Sequence, residues 1–119
     1  MGKWGYEPWA NDSAANWFDS TFDLTGLAEH VEQTLNLPID EHADEVRAAA
    51  YIVTLLSEHY MWPINSRTRC VRIAIARLHE IAADVADSQL AQSLQNEIVA
   101  LESKLNDGQT KRVRPDLLS

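Results

Sequence analysis

Residues 40–60 read DEHADEVRAAAYIVTLLSEHY, and their spacing decides the fold class. Ala43, Val46, Ala50, Val53, Leu56 and Tyr60 recur at intervals of three and four. A helix of 3.6 residues per turn therefore gathers them into one inward stripe, whereas a strand would scatter them over two faces. Asp40, Glu41, Asp44 and Glu45 crowd the start of this helix, where negative charge complements the amino-terminal end of the macrodipole. Ala48-Ala49-Ala50 is a patch of small residues that lets another backbone approach closely.

The same periodicity extends in both directions. Upstream, Thr25 reads as the cap of a short helix with Leu27, Val31 and Leu35 inward, closed at Leu37-Pro38 because proline disfavours helical geometry in the residue before it. Before that, Asn11-Asp12-Ser13 is a helix-start signal, its short polar side chains able to accept from first-turn amides. Ala14, Trp17, Phe18 and Phe22 are expected on the buried face that follows. Downstream, Met61-Trp62-Pro63-Ile64-Asn65 reads as a loop, with Trp62 a lid on the core. Ser66 or Thr68 should start the next helix, with Val71, Ala74, Ile75, Leu78, Ile81, Ala82 and Val85 inward. Asp87-Ser88 breaks that helix and caps the last one, whose stripe is Leu90, Leu94, Ile98, Leu101 and Leu105. Gly108 is placed to end it in the left-handed conformation. No segment alternates with period two, so the expected fold is all-α: a single compact bundle of about five helices. The domain is expected over residues 1–108, followed by a flexible basic tail over 109–119 that ends TKRVRPDLLS.

The opening, MGKWGYEPWANDSAANWF over residues 1–18, holds three of the four tryptophans. Large aromatic side chains are costly to leave in water, so this segment is expected to be tied down. Gly2 and Gly5 let the backbone pass close to a helix, Pro8 stiffens the approach to the cap at Asn11-Asp12, and Trp4, Trp9 and Tyr6 then form an aromatic plug at the end of the bundle.

Met-Gly-x-Trp-Gly-x-x-Pro-aromatic-x-Asn-Asp, as it stands here, resembles the opening of the bacterial domain-of-unknown-function family 4259. The similarity continues at Ala43-Asp44-Glu45-Val46-Arg47-Ala48-Ala49-Ala50 and, more weakly, through Ala74-Ile75-Ala76-Arg77-Leu78 and Ser88-Gln89-Leu90, covering nearly the whole chain. The family's Leu-Trp in the last helix stands here as Leu94-Gln95. The resemblance implies a helical domain and brings no activity or catalytic residues to carry over.

A length of 119 residues is one domain, large enough to bury a core without staples. The single Cys70 excludes an internal disulfide framework and any Cys-x-x-Cys metal cluster, and reads as a small apolar residue near a helix start. No apolar run follows Lys3, and no stretch approaches roughly eighteen consecutive apolar residues. A cytoplasmic protein without a membrane span is expected. The net charge of −8 is unevenly placed: residues 1–60 carry −9 and residues 61–119 carry +1. An acidic front half disfavours contact with nucleic acid phosphates and suits a basic protein partner.

Catalytic constellations are hard to assemble. A metal site in a bundle wants Glu-x-x-His spacing, so that both ligands project from one face. Here Glu29-His30, Glu58-His59 and His79-Glu80 are adjacent pairs, and His42-x-x-Glu45 sits in an acidic helix start. The serines lack a glycine-flanked elbow. Arg69 and Arg72 flank Cys70 and could lower its pKa, but no base stands near it in sequence. Arg67, Arg69, Arg72 and Arg77 are expected to pair with carboxylates of the front half.

Neither enzyme nor metal or other cofactor is expected. The leading expectation is a small acidic helical binding protein, of the kind that serves as an immunity protein or antitoxin against a basic bacterial toxin. Its contact surface would draw on Asp40, Glu41, Asp44 and Glu45, with Asp19, Asp23, Glu29 and Glu32 as a second tier. The alternative is a regulatory or housekeeping domain that binds a small molecule or forms a homodimer.

Overall fold

A computed structural model gives the fold; it describes residues 5–58 and 61–111, the last six of these by backbone alone. The described residues form five helices and no strand: α1 (Asp12–Thr25), α2 (Leu27–Leu35), α3 (Ile39–Leu56), α4 (Ile64–Ala82) and α5 (Ser88–Lys111). The all-α bundle is thus present as expected. α4 lies between α3 and α5, α2 packs chiefly on α3, and α1 packs on α2.

The stripe on α3 delivers the core it promised. Val46, Ala50 and Val53 are fully buried, with Ala49 beside them, and Ala43 and Leu56 are half-buried at its ends. They meet Val31 and Leu35 from α2, and Val71, Ala74 and Leu78 from α4. Leu94, Ile98 and Leu101 of α5 join the same core. Tyr60 lies outside the described residues.

Helix starts are mixed. Asn11 caps α1 as expected, its Oδ1 accepting from the Ala14 amide at 2.8 Å. Asp87 Oδ1 accepts from the amides of Gln89 and Leu90 at 2.8 and 3.1 Å, opening α5. α3 and α4 instead begin directly after a proline, Pro38 and Pro63, each with ψ near 130° and no side-chain cap. Proline ends one direction of chain and needs no amide partner at the next start. Ser66, expected as a cap, uses its hydroxyl to accept from the indole of Trp62 at 3.1 Å. We expect Asn11→Ala to cost about 1 kcal/mol, measured by urea unfolding; an unchanged midpoint would show that this cap carries no weight.

Several expectations are corrected. On α1 the buried residues are Ala15 and Phe22, spaced by seven, while Trp17 is 63% exposed and lies edge-on to the half-buried Phe18. Thr25 does not cap α2: its hydroxyl donates back to the Thr21 carbonyl at 2.7 Å. The break is made by Gly26 at φ 63°, which ends α1 and begins α2 in one residue. Only glycine enters the left-handed region without a Cβ penalty. Trp62 is no lid but a fully buried core residue, its ring centre 5.1 Å from that of Phe22. Leu90 is exposed at the start of α5. Gly108 does not end α5, which runs on to Lys111. The expected tail past Lys111 and Trp4 of the plug lie outside the described residues, while Trp9 is half-buried and Tyr6 is fully exposed, so Tyr6 is no part of a plug.

Arg67 is the largest surprise. It is 3% exposed, on the inner face of α4 one turn before Cys70 and Val71. Its Nε donates to the Ser57 carbonyl at 2.8 Å and its Nη1 to the Lys104 carbonyl at 3.1 Å. One guanidinium therefore ties the end of α3 and the middle of α5 to the first turns of α4. Lys104 is also largely buried, and its ammonium pairs with Glu58.

Candidate functional site

The chain bends at Gly26, and a crook lined by both α1 and α2 opens there. The start of α4 closes its third side. Asp19, Ser20, Phe22 and Asp23 come from α1, and Ala28, Glu29 and Glu32 from α2. Pro63, Ile64, Asn65, Ser66 and Arg69 complete a cleft of about 520 Å³. Its apolar lining comes from buried Phe22, half-buried Ala28 and the half-exposed Ile64. Four carboxylates and one guanidinium share this space.

The guanidinium is committed to one of those acids. Arg69 Nε and Nη2 reach Glu32 at 2.9–3.1 Å in a forked pair. Hydrogen bonding from Arg69 holds the Glu32 carboxyl below its ordinary pKa, so Glu32 is a permanent anion at neutral pH. Cys70 lies beneath this pair, its Sγ 3.8 Å from Glu32 Oε1. Burial, reinforced by the Glu32 charge, pushes the thiol up to about 11. Arg69 does not bring it down, because desolvation and the carboxylate outweigh the guanidinium, and Cys70 is the small buried residue the sequence reading expected. Cys70 is an inert core thiol at neutral pH.

The acids expected as the principal surface lie elsewhere, at the start of α3. Asp40 and Glu41 occupy its first turn and are exposed. His42 then leaves helical geometry (φ −130°, ψ 25°), so Asp44 and Glu45 stand beyond a kink rather than in the same first turn. His42 Nδ1 lies 2.9 Å from Glu45 Oε2, and its Nε2 lies 3.9 Å from Glu41. The hydrogen bond to His42 lowers the pKa of Glu45. Asp44 lines a shallow hollow with Arg47, Ala48, Tyr51 and Glu97, where Arg47 makes a bidentate pair with Glu97 of α5. The eight acids thus form two groups: Asp19, Asp23, Glu29 and Glu32 line the cleft, while Asp40, Glu41, Asp44 and Glu45 make an acidic edge at the start of α3.

The arginines divide too. Arg69 pairs with a front-half acid as expected, but Arg77 bonds Glu80 and the Leu37 carbonyl, and Arg67 is interior. A second hollow, between α3 and α5 over Leu78, measures about 220 Å³; it is smaller than the ~300 Å³ at which drug-sized ligand pockets begin. Among the described residues no group of three His, Cys, Asp or Glu side chains is placed to hold a metal ion, and no helix is long and apolar enough to cross a membrane.

Sequence reading missed Gly26, which makes the cleft, and Ile64, which is part of its apolar lining. The glycine itself was the available signal, since it stands between two amphipathic stripes. No family model matches the chain, and neither a curated protein nor a solved structure matches it.

Proposed function

We propose that this chain is a non-catalytic acidic binding protein whose α1–α2 cleft takes a basic segment of a protein partner. The supporting observation is the convergence of Asp19, Asp23, Glu29 and Glu32 on one concavity that Phe22, Ala28 and Ile64 also line. A lysine or arginine entering there meets several carboxylates, and the apolar stem of such a side chain, or an adjacent hydrophobic residue, meets Phe22 and Ile64. The acidic edge at Asp40, Glu41, Asp44 and Glu45 widens the negative field that steers the partner in. An immunity protein or antitoxin covering the basic face of a bacterial toxin is the member of this class that small size and acidic charge suit best. The resemblance of the opening motif to the helical family 4259 is part of the same proposal.

Charge reversal tests it. The partner is first recovered from the native cell as a single stoichiometric protein and purified. Asp23→Lys with Glu29→Lys, both on exposed residues, should then slow association about tenfold or more at low salt. The difference should shrink as salt shortens the screening length to about 8 Å at 0.15 M. Asp44→Lys with Glu45→Lys should slow it less. If the folded cleft variant associates at the original rate with the original salt dependence, the cleft is not the contact surface.

A further inference from the structure

We propose that α1 is a hinged flap that opens about Gly26 while α2–α5 stay folded, with Phe22 as its latch and the acidic crook as the spring that biases it open. The joint is a single residue: Gly26 is at once the C-cap of α1 and the N-cap of α2, and α2 has no side-chain cap across it. A built Cβ at Gly26 would meet nothing within 4 Å, so the bend is held by backbone conformation and not by packing at the pivot. Among the described residues α1 makes close helix-to-helix packing with α2 alone. Phe22 is its only described residue in the contiguous core, seated edge-on against Trp62. The other face carries Trp17 and Leu24, 63% and 87% exposed. Among the described residues, α1 buries Phe22 and Ala15 and packs far less extensively on its neighbour than α3, α4 and α5 pack on one another, so it has fewer contacts to lose when it swings. Segments of that kind open at lower free energy than the core.

The charges across the hinge act on the same motion. Asp23 on α1 and Glu29 on α2 line the crook from the two sides of the hinge, and Arg69 is taken up by Glu32. Like charges on two arms of one hinge favour separation, and cations between them favour closure. This device goes beyond the binding proposal and stands without it: hinge, latch and like-charged arms are properties of the isolated chain. Opening would unseat Phe22 and bare the face of Trp62 it covers.

Hydrogen–deuterium exchange of the full chain, read by peptide mass spectrometry, tests both parts. Val53→Ala, in α3, should speed exchange of the α3 and α4 amides about tenfold while leaving α1 unchanged, because flap opening keeps the contacts of Val53 intact. Ile98→Val, a milder core change on α5, serves the same purpose where Val53→Ala does not fold. Phe22→Ala should speed α1 by about tenfold or more. If the core variant speeds α1 and α3–α4 by the same factor, α1 opens only with the whole molecule and the flap is overturned. For the spring, raising sodium chloride from about 20 mM to about 0.5 M should slow α1 exchange about threefold relative to α3–α4, and Asp23→Asn with Glu29→Gln should remove that dependence. A salt-independent ratio in the unmodified chain overturns the electrostatic part.

Discussion

Trp62→Ala is expected to lower the unfolding free energy by about 3–5 kcal/mol, the range for emptying a large aromatic site in a packed core. Trp62 is fully buried although it stands in the short connection between α3 and α4, a place where aromatic side chains are often half-solvated. Its ring meets Phe22 edge-on at 60°, the geometry in which a positive ring edge meets a negative face. Its indole NH donates to Ser66, so the substitution also strands a polar contact at the start of α4. Relaxation cannot refill the space easily, because α3 and α4 are fixed by the rest of the core. For a domain whose total stability is about 5–15 kcal/mol, that loss brings the chain near the limit of folding. Trp62→Phe should cost much less, about 1–2 kcal/mol, by keeping an aromatic in the site and losing one hydrogen bond. Trp17→Ala is the contrast: a tryptophan 63% exposed should change stability by no more than about 0.5 kcal/mol. Urea unfolding followed by far-ultraviolet circular dichroism separates the three, since it does not depend on the indoles being altered. Equal losses for Trp62→Ala and Trp17→Ala would show that Trp62 does not anchor the core.

The contrast between those two tryptophans also shows where sequence reading succeeds. The stripes on α2, α3 and α5 were legible because apolar residues at three- and four-residue spacing have only one way to be buried together. On α1 the stripe was misplaced: Ala14, Trp17 and Phe18 outweighed Ala15 by size, yet α1 leans on the bundle through Phe22, and Ala15, one full heptad earlier, shares that face. Arg67 and Lys104 were hidden by their charge. Both occupy inward register positions, Arg67 three and four residues before Cys70 and Val71, Lys104 three residues after Leu101. A long charged side chain in such a position reads as solvent-facing unless one asks what backbone oxygens its head could reach. The convergence of α1 and α2 acids depends on the angle at Gly26, which no linear pattern encodes. The eight acids could be read as an acidic half, but their division into a cleft and an edge is a tertiary fact.

Arg67→Met should destabilise the fold by about 2–4 kcal/mol, even though methionine is apolar, of similar reach and a good helix former. The guanidinium supplies donors to two main-chain carbonyls, of Ser57 and Lys104, in a site closed to water. A buried acceptor that loses its donor costs about 1–3 kcal/mol, and more when the donor was charged. Exchanging a buried ion pair for hydrophobic residues is often harmless because both polar partners leave together. Here they cannot, because these two carbonyls are backbone atoms and stay whatever side chain replaces arginine. The two carbonyls also belong to different helices, α5 and the end of α3, so losing the donor loosens two interfaces of α4 at once. Arg67→Lys should recover part of the loss, since one ammonium can reach one carbonyl but does not present the planar fork that reaches two. The order expected in urea midpoints is wild type above Lys above Met. If Arg67→Met matches or exceeds wild type, the carbonyls are satisfied without the arginine, and the clamp across α3, α4 and α5 does not hold the bundle together.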